Sequence, residues 1–250
     1  MRYRVTYYCV CDIGKVREIN QDNFIVGGRY LKNHEDRIPE LLFGENEGKP
    51  LLLGVFDGMG GEECGEVASL LAAQTAAEIT PGRKPEKDLL ALCSTANERI
   101  CSYMDTHGLK SMGTTAAMLA FTRKGIMLCN IGDSRIFRFA EGKLSQISMD
   151  HVVPLPNIPK PPLAQNLGIR RRDLVIEPYL AKGIYKEGDI YLICSDGLTD
   201  MVSNESITNV LTTTGFEAAA QRLLDRALQS GGRDNITIIL CRIEKKKFFR

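Results

Sequence analysis

An aspartate at the end of a long apolar run is the feature that most constrains how this chain can fold. Residues 51–56 (LLLGVF) have the composition of a buried strand, and residues 57–61 (DGMGG) follow directly. The carboxylate of Asp57 at the tip of such a strand is unfavourable unless a cation or hydrogen bonds compensate its charge. The glycines that follow let backbone carbonyls turn toward the same cation. This strand end is therefore predicted to open into a metal site.

Two further aspartates stand at the ends of apolar runs. Asp196, next to Gly197, follows the run 191–195, and Asp234 precedes the run 236–241. Three carboxylates placed in this way predict one shared site. Oxygen ligands favour hard divalent cations, so we expect an ion of that kind there.

Charge and length exclude several classes of protein. The 250 residues contain 32 Lys and Arg against 31 Asp and Glu, a net charge of +1, whereas nucleic-acid-binding proteins usually carry a concentrated basic stripe. No apolar run approaches the roughly 20 residues of a membrane-spanning helix, and no apolar signal core opens the sequence. We therefore expect a cytoplasmic monomer with a single domain over residues 1–244 and a basic tail over residues 245–250.

The eight cysteines are spread through apolar stretches without a C-x-x-C pair. This pattern predicts buried, reduced thiols and no zinc or redox motif. A cysteine followed six positions later by arginine, the spacing found in phosphatases with a cysteine nucleophile, occurs three times. Since no glycine-rich loop joins the two residues in any of them, we discount a cysteine-based mechanism.

Hydrophobic periodicity predicts strands, two helices, more strands, further helices and a last strand. Strands are predicted at 3–10, 23–27, 51–56, 114–121, 126–131, 135–139, 143–147, 174–180, 189–194 and 236–243, and helices at 62–78, 85–106, 204–211 and 216–229. The close spacing of the strands between 114 and 147 predicts an antiparallel meander. Residues 30–49 are predicted to form a surface insertion or long hairpin loop, and the five prolines in 152–162 predict a stiff surface loop.

Six short motifs follow one another along nearly the whole chain. They are DIGKVREINQD at 12–22, DGMGG at 57–61, GTT at 113–115, IGDSR at 131–135, CSDGL at 194–198 and GRDN at 232–235. In identity and order they resemble the motifs of the metal-dependent protein phosphatases of the PPM group, also called the protein phosphatase 2C family. The resemblance implies an α+β fold, a four-layer α-β-β-α sandwich of two antiparallel sheets flanked by helices, with a metal centre at one end.

The resemblance and the chemistry of oxygen ligands together assign two Mn²⁺ or Mg²⁺ ions to that end. Asp57 is expected to bridge the two ions. Asp196 and Asp234 would complete the first site, and the carbonyl of Gly58 would serve the second. A water held between the ions would be acidified and would attack phosphorus directly, without a phosphoenzyme.

Three further residues are assigned by the resemblance, and each has a plainer alternative. Asp22 is expected near the second metal through an ordered water, or else caps a turn. Asp133 matches the position of a weaker third metal site, or else accepts a hydrogen bond inside a hairpin corner. Arg17 matches the arginine that binds the substrate phosphate, whose guanidinium would hold two phosphoryl oxygens, or else forms a surface ion pair.

Three neighbouring side chains are expected to support the site and not to react. Arg135 is predicted to form an internal salt bridge or hydrogen bonds, and His151 to fix the start of the next loop. Asn235 is predicted to orient Asp234 or a metal-bound water.

The chain departs from the family pattern at two places. Animal members carry a histidine that is proposed to protonate the leaving group. This chain has Met59 at that position, as many bacterial relatives do, so we assign no protein general acid. The loop 152–162 is shorter than the flap of bacterial relatives, which predicts a more open site. The basic clusters at 170–172 and 245–250 are expected to be solvated charge.

The function implied by the resemblance is that of a metal-dependent serine/threonine phosphoprotein phosphatase. Its expected partners are phosphoserine and phosphothreonine proteins, among them a Ser/Thr kinase and its substrates, and not nucleic acid. Two alternatives stay open, because loops outside the metal motifs choose the substrate. One is a noncatalytic phosphopeptide-binding regulatory module. The other is a phosphatase of the same fold that acts on a dedicated regulatory protein or a small phosphoester.

Overall fold

A computed structural model describes residues 3–33, 41–59, 64–155 and 160–245. Along these ranges the elements are β1 (Tyr3–Asp12), β2 (Asp22–Val26), β3 (Leu42–Glu47), β4 (Leu51–Met59), α1 (Gly65–Ala77), α2 (Pro85–His107), β5 (Gly113–Thr114), β6 (Ala116–Thr122), β7 (Gly125–Ile131), β8 (Arg135–Ala140), β9 (Lys143–Gln146), β10 (Tyr179–Gly183), β11 (Ile190–Cys194), α3 (Asp196–Thr199), α4 (Asn204–Thr213), α5 (Phe216–Gln229) and β12 (Ile236–Lys245).

Two antiparallel sheets face each other. One has the strand order β3-β1-β12-β11-β8-β9, and the other has the order β10-β7-β6-β4-β2, with β5 paired to β4. Helices α1 and α2 pack on the outer face of the second sheet, and α3, α4 and α5 pack on the outer face of the first. These four layers confirm the α+β sandwich that the sequence predicts.

Alternation along β4 explains how its end enters the space between the sheets. Leu51, Leu53 and Val55 belong to the apolar cluster between the sheets, whereas Leu52 and Phe56 pack toward the helices. Successive side chains of a strand point to opposite faces. Asp57 is therefore the next residue in the row that faces between the sheets, and it lies where that core ends.

The predicted antiparallel meander between residues 114 and 147 is wrong in its pairing. Strands β6 and β7 form a hairpin in one sheet, while β8 and β9 form a hairpin in the other. The chain changes sheets at residues 132–134, where Gly132 adopts a φ of 97°. Short spacing indicates neighbouring strands in sequence, but it carries no information on which of two sheets each hairpin joins.

Two other segments also differ from the sequence prediction. In the range 30–49, predicted to be a loop, Leu42–Glu47 forms β3 and pairs with β1 at the sheet edge; residues 34–40 lie outside the described residues. An edge strand leaves one row of its backbone N–H and C=O groups unpaired, and polar residues are favoured there, so the composition of β3 did not reveal a strand. The strand predicted at 174–180 instead spans Tyr179–Gly183. Pro178 explains the shift, because it lacks the N–H that a strand interior needs.

Within the described ranges, no helix is long and apolar enough to cross a membrane. Of the basic tail predicted at 245–250, Lys245 ends β12, and residues 246–250 lie outside the described residues. Gly60 and Gly61 of the DGMGG motif also lie outside them.

Candidate metal and phosphate site

Asp57 is held at its position by the GTT motif. Its backbone N–H donates to Thr115 Oγ1 at 3.0 Å, and its carbonyl accepts from Thr115 N and from Thr114 Oγ1, each at 2.9 Å. The hydroxyl of Thr115 also lies 2.7 Å from that of Ser134, at the corner where the chain changes sheets. The motif therefore fixes the backbone that carries the predicted bridging carboxylate.

Gly58 is required by a close approach of three backbone segments. A Cβ atom there would collide with the carbonyl oxygens of Gln21 and Gly65, and Gly58 N donates to Gln21 O at 3.0 Å. Only glycine fits between these segments. The narrow packing brings the end of β4 against the start of β2, which carries Asp22.

Asp22 lies directly behind Asp57, with one carboxylate oxygen satisfied and one not. Its Oδ2 accepts from Ser195 Oγ and Thr237 Oγ1, each at 2.7 Å. Its Oδ1 is buried and has no hydrogen-bond partner among the described residues. Burial raises the pKa of Asp22 to about 7, although the two hydroxyl donors oppose this shift. A buried carboxylate oxygen of this kind needs a cation or a water for compensation.

The carboxylates around Asp57 raise its pKa further than burial alone. Burial is the largest cause, and the charges of Asp22, Asp196, Asp133 and Asp234 each add to it, so that the pKa stands well above its ordinary value. Burial and Asp196 likewise raise the pKa of Asp133 to about 6. So many negative charges in one place are unfavourable without cations.

A surface cavity of about 850 Å³ joins most of the predicted site residues. Those that line it are Arg17, Asp57, Gly58, Asp133, Asp196 and Asp234. Asp22 does not line it and stays one layer deeper, opposite Asp57 on the neighbouring strand. Met59 also lines the cavity, and its side chain cannot donate a proton.

Arg17 reaches the cavity on a loop that Asn235 holds in place. Asn235 Nδ2 donates to the carbonyls of Ile13 and Ile19, and its Oδ1 accepts from Gln21 N at 2.9 Å. The Asn235 side chain thus anchors the loop, and it is the backbone N–H of Asn235 that donates to Asp234 Oδ1, at 2.9 Å. Its predicted role of orienting Asp234 or a metal-bound water stays a prediction for the side chain.

The guanidinium of Arg17 donates to Asp234 Oδ2 at 2.8 Å while remaining half-exposed at the cavity. The surface ion pair, which is the alternative role predicted for Arg17, is therefore present. Because the side chain lines the cavity and still has free donors, the pair is compatible with a second contact to a substrate anion.

Lys160 is the site residue that sequence reasoning missed. Its Nζ contacts the carboxylate of Asp196 and lies 3.7 Å from Asp200 Oδ2 and 4.0 Å from Asp234 Oδ2. Partial burial lowers the pKa of Lys160, but the carboxylates outweigh it and the net shift is upward. The signal in the sequence that could have pointed to this residue is its position among the prolines of 152–162. The end of this segment, from Lys160 to Leu163, borders the cavity.

The carboxylates that line the cavity are the ligands that a hard divalent cation prefers, but their side chains are not arranged around a common point. Within the described ranges, no three acidic, histidine or cysteine side chains are placed together so as to hold an ion. Lys160 and Arg17 instead neutralise Asp196 and Asp234. The fit rests on the chemistry of the cavity: clustered carboxylate oxygens and, behind them, the unpaired Oδ1 of Asp22. A metal would have to displace the lysine.

Two predicted structural roles are confirmed. Arg135 binds Asp150 through Nε at 2.9 Å and Nη2 at 2.7 Å. His151 exchanges hydrogen bonds with Gly132: its N–H donates to the Gly132 carbonyl at 2.9 Å, and its Nδ1 accepts from Gly132 N at 3.3 Å. Burial lowers the pKa of His151, in keeping with a neutral ring that accepts this bond. Both contacts hold the chain at residues 150–151, where the next loop starts.

Comparison with known proteins agrees with this geometry. A family model described as protein phosphatase 2C matches residues 33–237, well over half of the chain. The chain belongs to the protein phosphatase 2C family. Arg17 and Asp22 of this phosphatase 2C chain lie before the matched range, so their roles rest on their position in the structure.

Relatives of this phosphatase 2C chain are bacterial. The serine/threonine protein phosphatase PstP of Mycobacterium tuberculosis is 32% identical over 249 residues, covering 94% of this chain and 44% of PstP. The serine/threonine phosphatase Stp of Listeria welshimeri is 27% identical over 260 residues, covering 92% of each chain. The chain therefore spans less than half of the mycobacterial protein and nearly all of the listerial one.

The fold of the phosphatase 2C chain is also that of a solved relative. The catalytic domain of PstP, crystallised with two manganese ions, superposes with a TM-score of 0.78 and 29% sequence identity. The superposition covers 97% of this chain and 100% of that domain. The two sheets and their outer helices are thus arranged as in a metal-binding phosphatase domain.

Proposed function

We propose that this chain is a Mn²⁺- or Mg²⁺-dependent phosphatase that removes phosphate from phosphoserine and phosphothreonine in proteins. The observation that carries the proposal is the convergence of Asp57, Asp196 and Asp234 on one cavity, backed by the unpaired oxygen of Asp22. Family membership and the manganese ions of the PstP domain support the same conclusion.

Each carboxylate has a separate role in holding the metals. Asp57 would serve both ions, Asp196 and Asp234 would help to hold the first, and the Gly58 carbonyl would help to hold the second. Asp22 would act from behind through a water, which would satisfy its buried Oδ1. Asp133, on the cavity wall, would hold a third and weaker ion.

The bound ions supply charge neutralisation and an acidified water as nucleophile, so no phosphoenzyme is required. The protein itself positions the substrate. Arg17, half-exposed at the cavity, binds phosphoryl oxygens with the donors that Asp234 leaves free and orients the phosphorus toward Asp57. Met59 cannot donate a proton, and we assign no side chain as general acid.

The biological setting is proposed on the same basis. The relatives named as serine/threonine phosphatases suggest that the substrates are proteins phosphorylated by a Ser/Thr kinase, with the kinase itself among them. Six cysteines are buried as reduced thiols, which supports work in the reducing cytoplasm; they are Cys9, Cys11, Cys93, Cys129, Cys194 and Cys241. We propose that the chain acts as a monomer.

The test is hydrolysis of a phosphothreonine peptide and of an aryl phosphate by metal-stripped protein before and after addition of Mn²⁺. Asp57→Asn and Asp196→Asn should abolish metal-dependent turnover of both substrates. Asp225→Asn, at a half-exposed position of α5 outside the cavity, is the matched control and should leave turnover unchanged. Metal binding without turnover of either substrate would favour a noncatalytic binding module, and turnover of the aryl phosphate alone would favour a small phosphoester.

A further inference from the structure

A second cavity, of about 1190 Å³, lies at the opposite end of the sheet from the candidate site. The segment 82–87 before and at the start of α2, the β6–β7 hairpin turn at 122–125 and the end of β10 form its walls. Pro50, also in the wall, precedes β4, and Asp57 stands seven residues further along. That length of extended strand is about 23 Å. The two cavities share no lining residue.

Most of the charged side chains that line this second cavity are positive. Its cationic side chains are Arg83, Lys84, Lys87, Arg123, Lys124 and Lys182, whereas Glu86 is its one carboxylate. Glu86 is paired with Lys182 at 2.8 Å. Over the part of the chain that the structure describes, none of the other five cations has a carboxylate within 4.0 Å. In a chain whose net charge is +1, this is a strong local excess of positive charge.

The same cavity presents apolar surface between its charges. Ile184 at the end of β10 is 79% exposed, and Ile126 and Met127 contribute to the wall beneath it. The N terminus of α2 also opens here at Pro85, and no side-chain hydrogen bond caps it among the described residues. An apolar side chain in a recess with several unpaired cations complements a partner that offers both carboxylates and an apolar contact.

We propose that this cleft, which we call the basic cleft (residues 82–87, 122–127 and 182–184), docks an acidic segment of a partner polypeptide. Its carboxylates would pair with the five free cations, and an apolar side chain would pack on Ile184. A polypeptide segment suits the concave, partly apolar shape. A membrane surface would reach only the rim of a recess, and a nucleic acid offers no apolar side chain for Ile184.

The docking is separate from catalysis and stands beyond the proposed function. If the partner is also a substrate, binding some 23 Å from the metal site would raise the local concentration of its phosphorylated residue without altering the chemistry. Charge reversal in the basic cleft should then weaken binding while leaving turnover of a small aryl phosphate unchanged.

The test is a fluorescence anisotropy titration of the full chain with a labelled peptide of alternating glutamate and leucine. Arg123→Glu/Lys124→Glu should weaken binding by roughly tenfold, since both side chains are exposed and unpaired. Lys143→Glu/Arg222→Glu, which reverses two exposed cations elsewhere, is the matched control and should bind as the wild type does. Arg123→Gln/Lys124→Gln should lie between the two, and thermal unfolding checks that every variant is folded.

Three outcomes would overturn the proposal. Wild-type protein does not bind the peptide, or the control variant loses as much affinity as the cleft variant, or a single-stranded oligonucleotide or phosphatidylserine vesicle binds the cleft and the peptide does not. The assay measures binding in metal-stripped and metal-loaded protein alike. Its failure is therefore distinguishable from failure of the proposed phosphatase activity, which the aryl phosphate assay reports.

Discussion

Asp22 and Asp57 lie directly opposite each other on β2 and β4, and both side chains face the space between the sheets. Asp57 lines the cavity, whereas Asp22 lies deeper. One carboxylate oxygen of Asp22 is buried and has no hydrogen-bond partner among the described residues. Two opposed carboxylates without a cation are unfavourable: burial, and next the charge of Asp22, raise the pKa of Asp57 well above its ordinary value. The pair explains why this end of the sandwich is suited to a metal.

The metal-free protein should lose stability as the pH rises. The pKa of Asp22 is about 7 in the folded chain, whereas an unfolded aspartate has a pKa of about 4. The folded state therefore holds the proton more tightly, and the free energy of unfolding falls between about pH 4 and about pH 7.

Asp22→Asn should reduce that pH dependence. Without metal, the variant is expected to be more stable than the wild type by about 1–3 kcal/mol near pH 8, and to differ little near pH 4, where little of this loss has yet occurred. Urea unfolding at both pH values measures this, with Asp225→Asn, at a half-exposed position of α5, as control. An equal difference at the two pH values would contradict the role assigned to ionisation of Asp22.

Lys160→Met should strengthen metal binding. The lysine holds Asp196 and lies near Asp200 and Asp234, so it competes with any cation for the same oxygens. Its side chain is more than half exposed, and screening limits the effect to about 1 kcal/mol, or roughly fivefold in Kd.

Isothermal titration of Mn²⁺ into metal-stripped protein measures this change without any turnover. Lys143→Met, which removes an exposed lysine from β9, is the control for loss of one positive charge. Unchanged or weaker Mn²⁺ binding by Lys160→Met would show that the lysine does not compete with the metal.

Arg17→Ala should impair substrate binding more than Arg17→Lys. Removal of the guanidinium takes away the cavity's donor for two phosphoryl oxygens, and kcat/KM for a phosphothreonine peptide is expected to fall by roughly 10- to 100-fold. Lysine keeps the charge without the planar fork and should recover part of the loss. Arg17 also pairs with Asp234, so Mn²⁺ affinity is measured in parallel; a loss explained wholly by weaker metal binding would exclude the phosphate role.

Thr115→Val should loosen the backbone at the bridging aspartate. The substitution leaves the N–H of Asp57 without its acceptor and removes the contact with Ser134 Oγ. We expect a loss of about 1–3 kcal/mol in the free energy of unfolding, measured with urea, together with weaker Mn²⁺ binding. Thr212→Val, on the exposed surface of α4, should change neither quantity appreciably. Normal Mn²⁺ affinity in Thr115→Val would mean that the clamp serves folding alone.

Local patterns were sufficient for the elements and for the main carboxylates. Helix α2 begins at Pro85 as predicted, because proline is favoured at the first helical turn. Asp57 was identifiable because a charge at the end of an apolar strand demands a specific partner. Sequence patterns did not predict elements that depend on strand pairing or solvent exposure. One example is β3, which lies at the sheet edge and leaves Phe43 exposed.

The sequence by itself determined the strand ends that carry Asp57, Asp196 and Asp234, since alternation and the Asp-Gly pattern are local properties. Only the tertiary structure decided that Lys160 lies among them and that Arg83, Arg123 and Lys182 line one basic cleft. These residues are far apart in the chain and have unremarkable local contexts. Their proximity results from sheet pairing and from the change of sheet at 132–134, and long-range packing of this kind leaves no periodic signal in sequence.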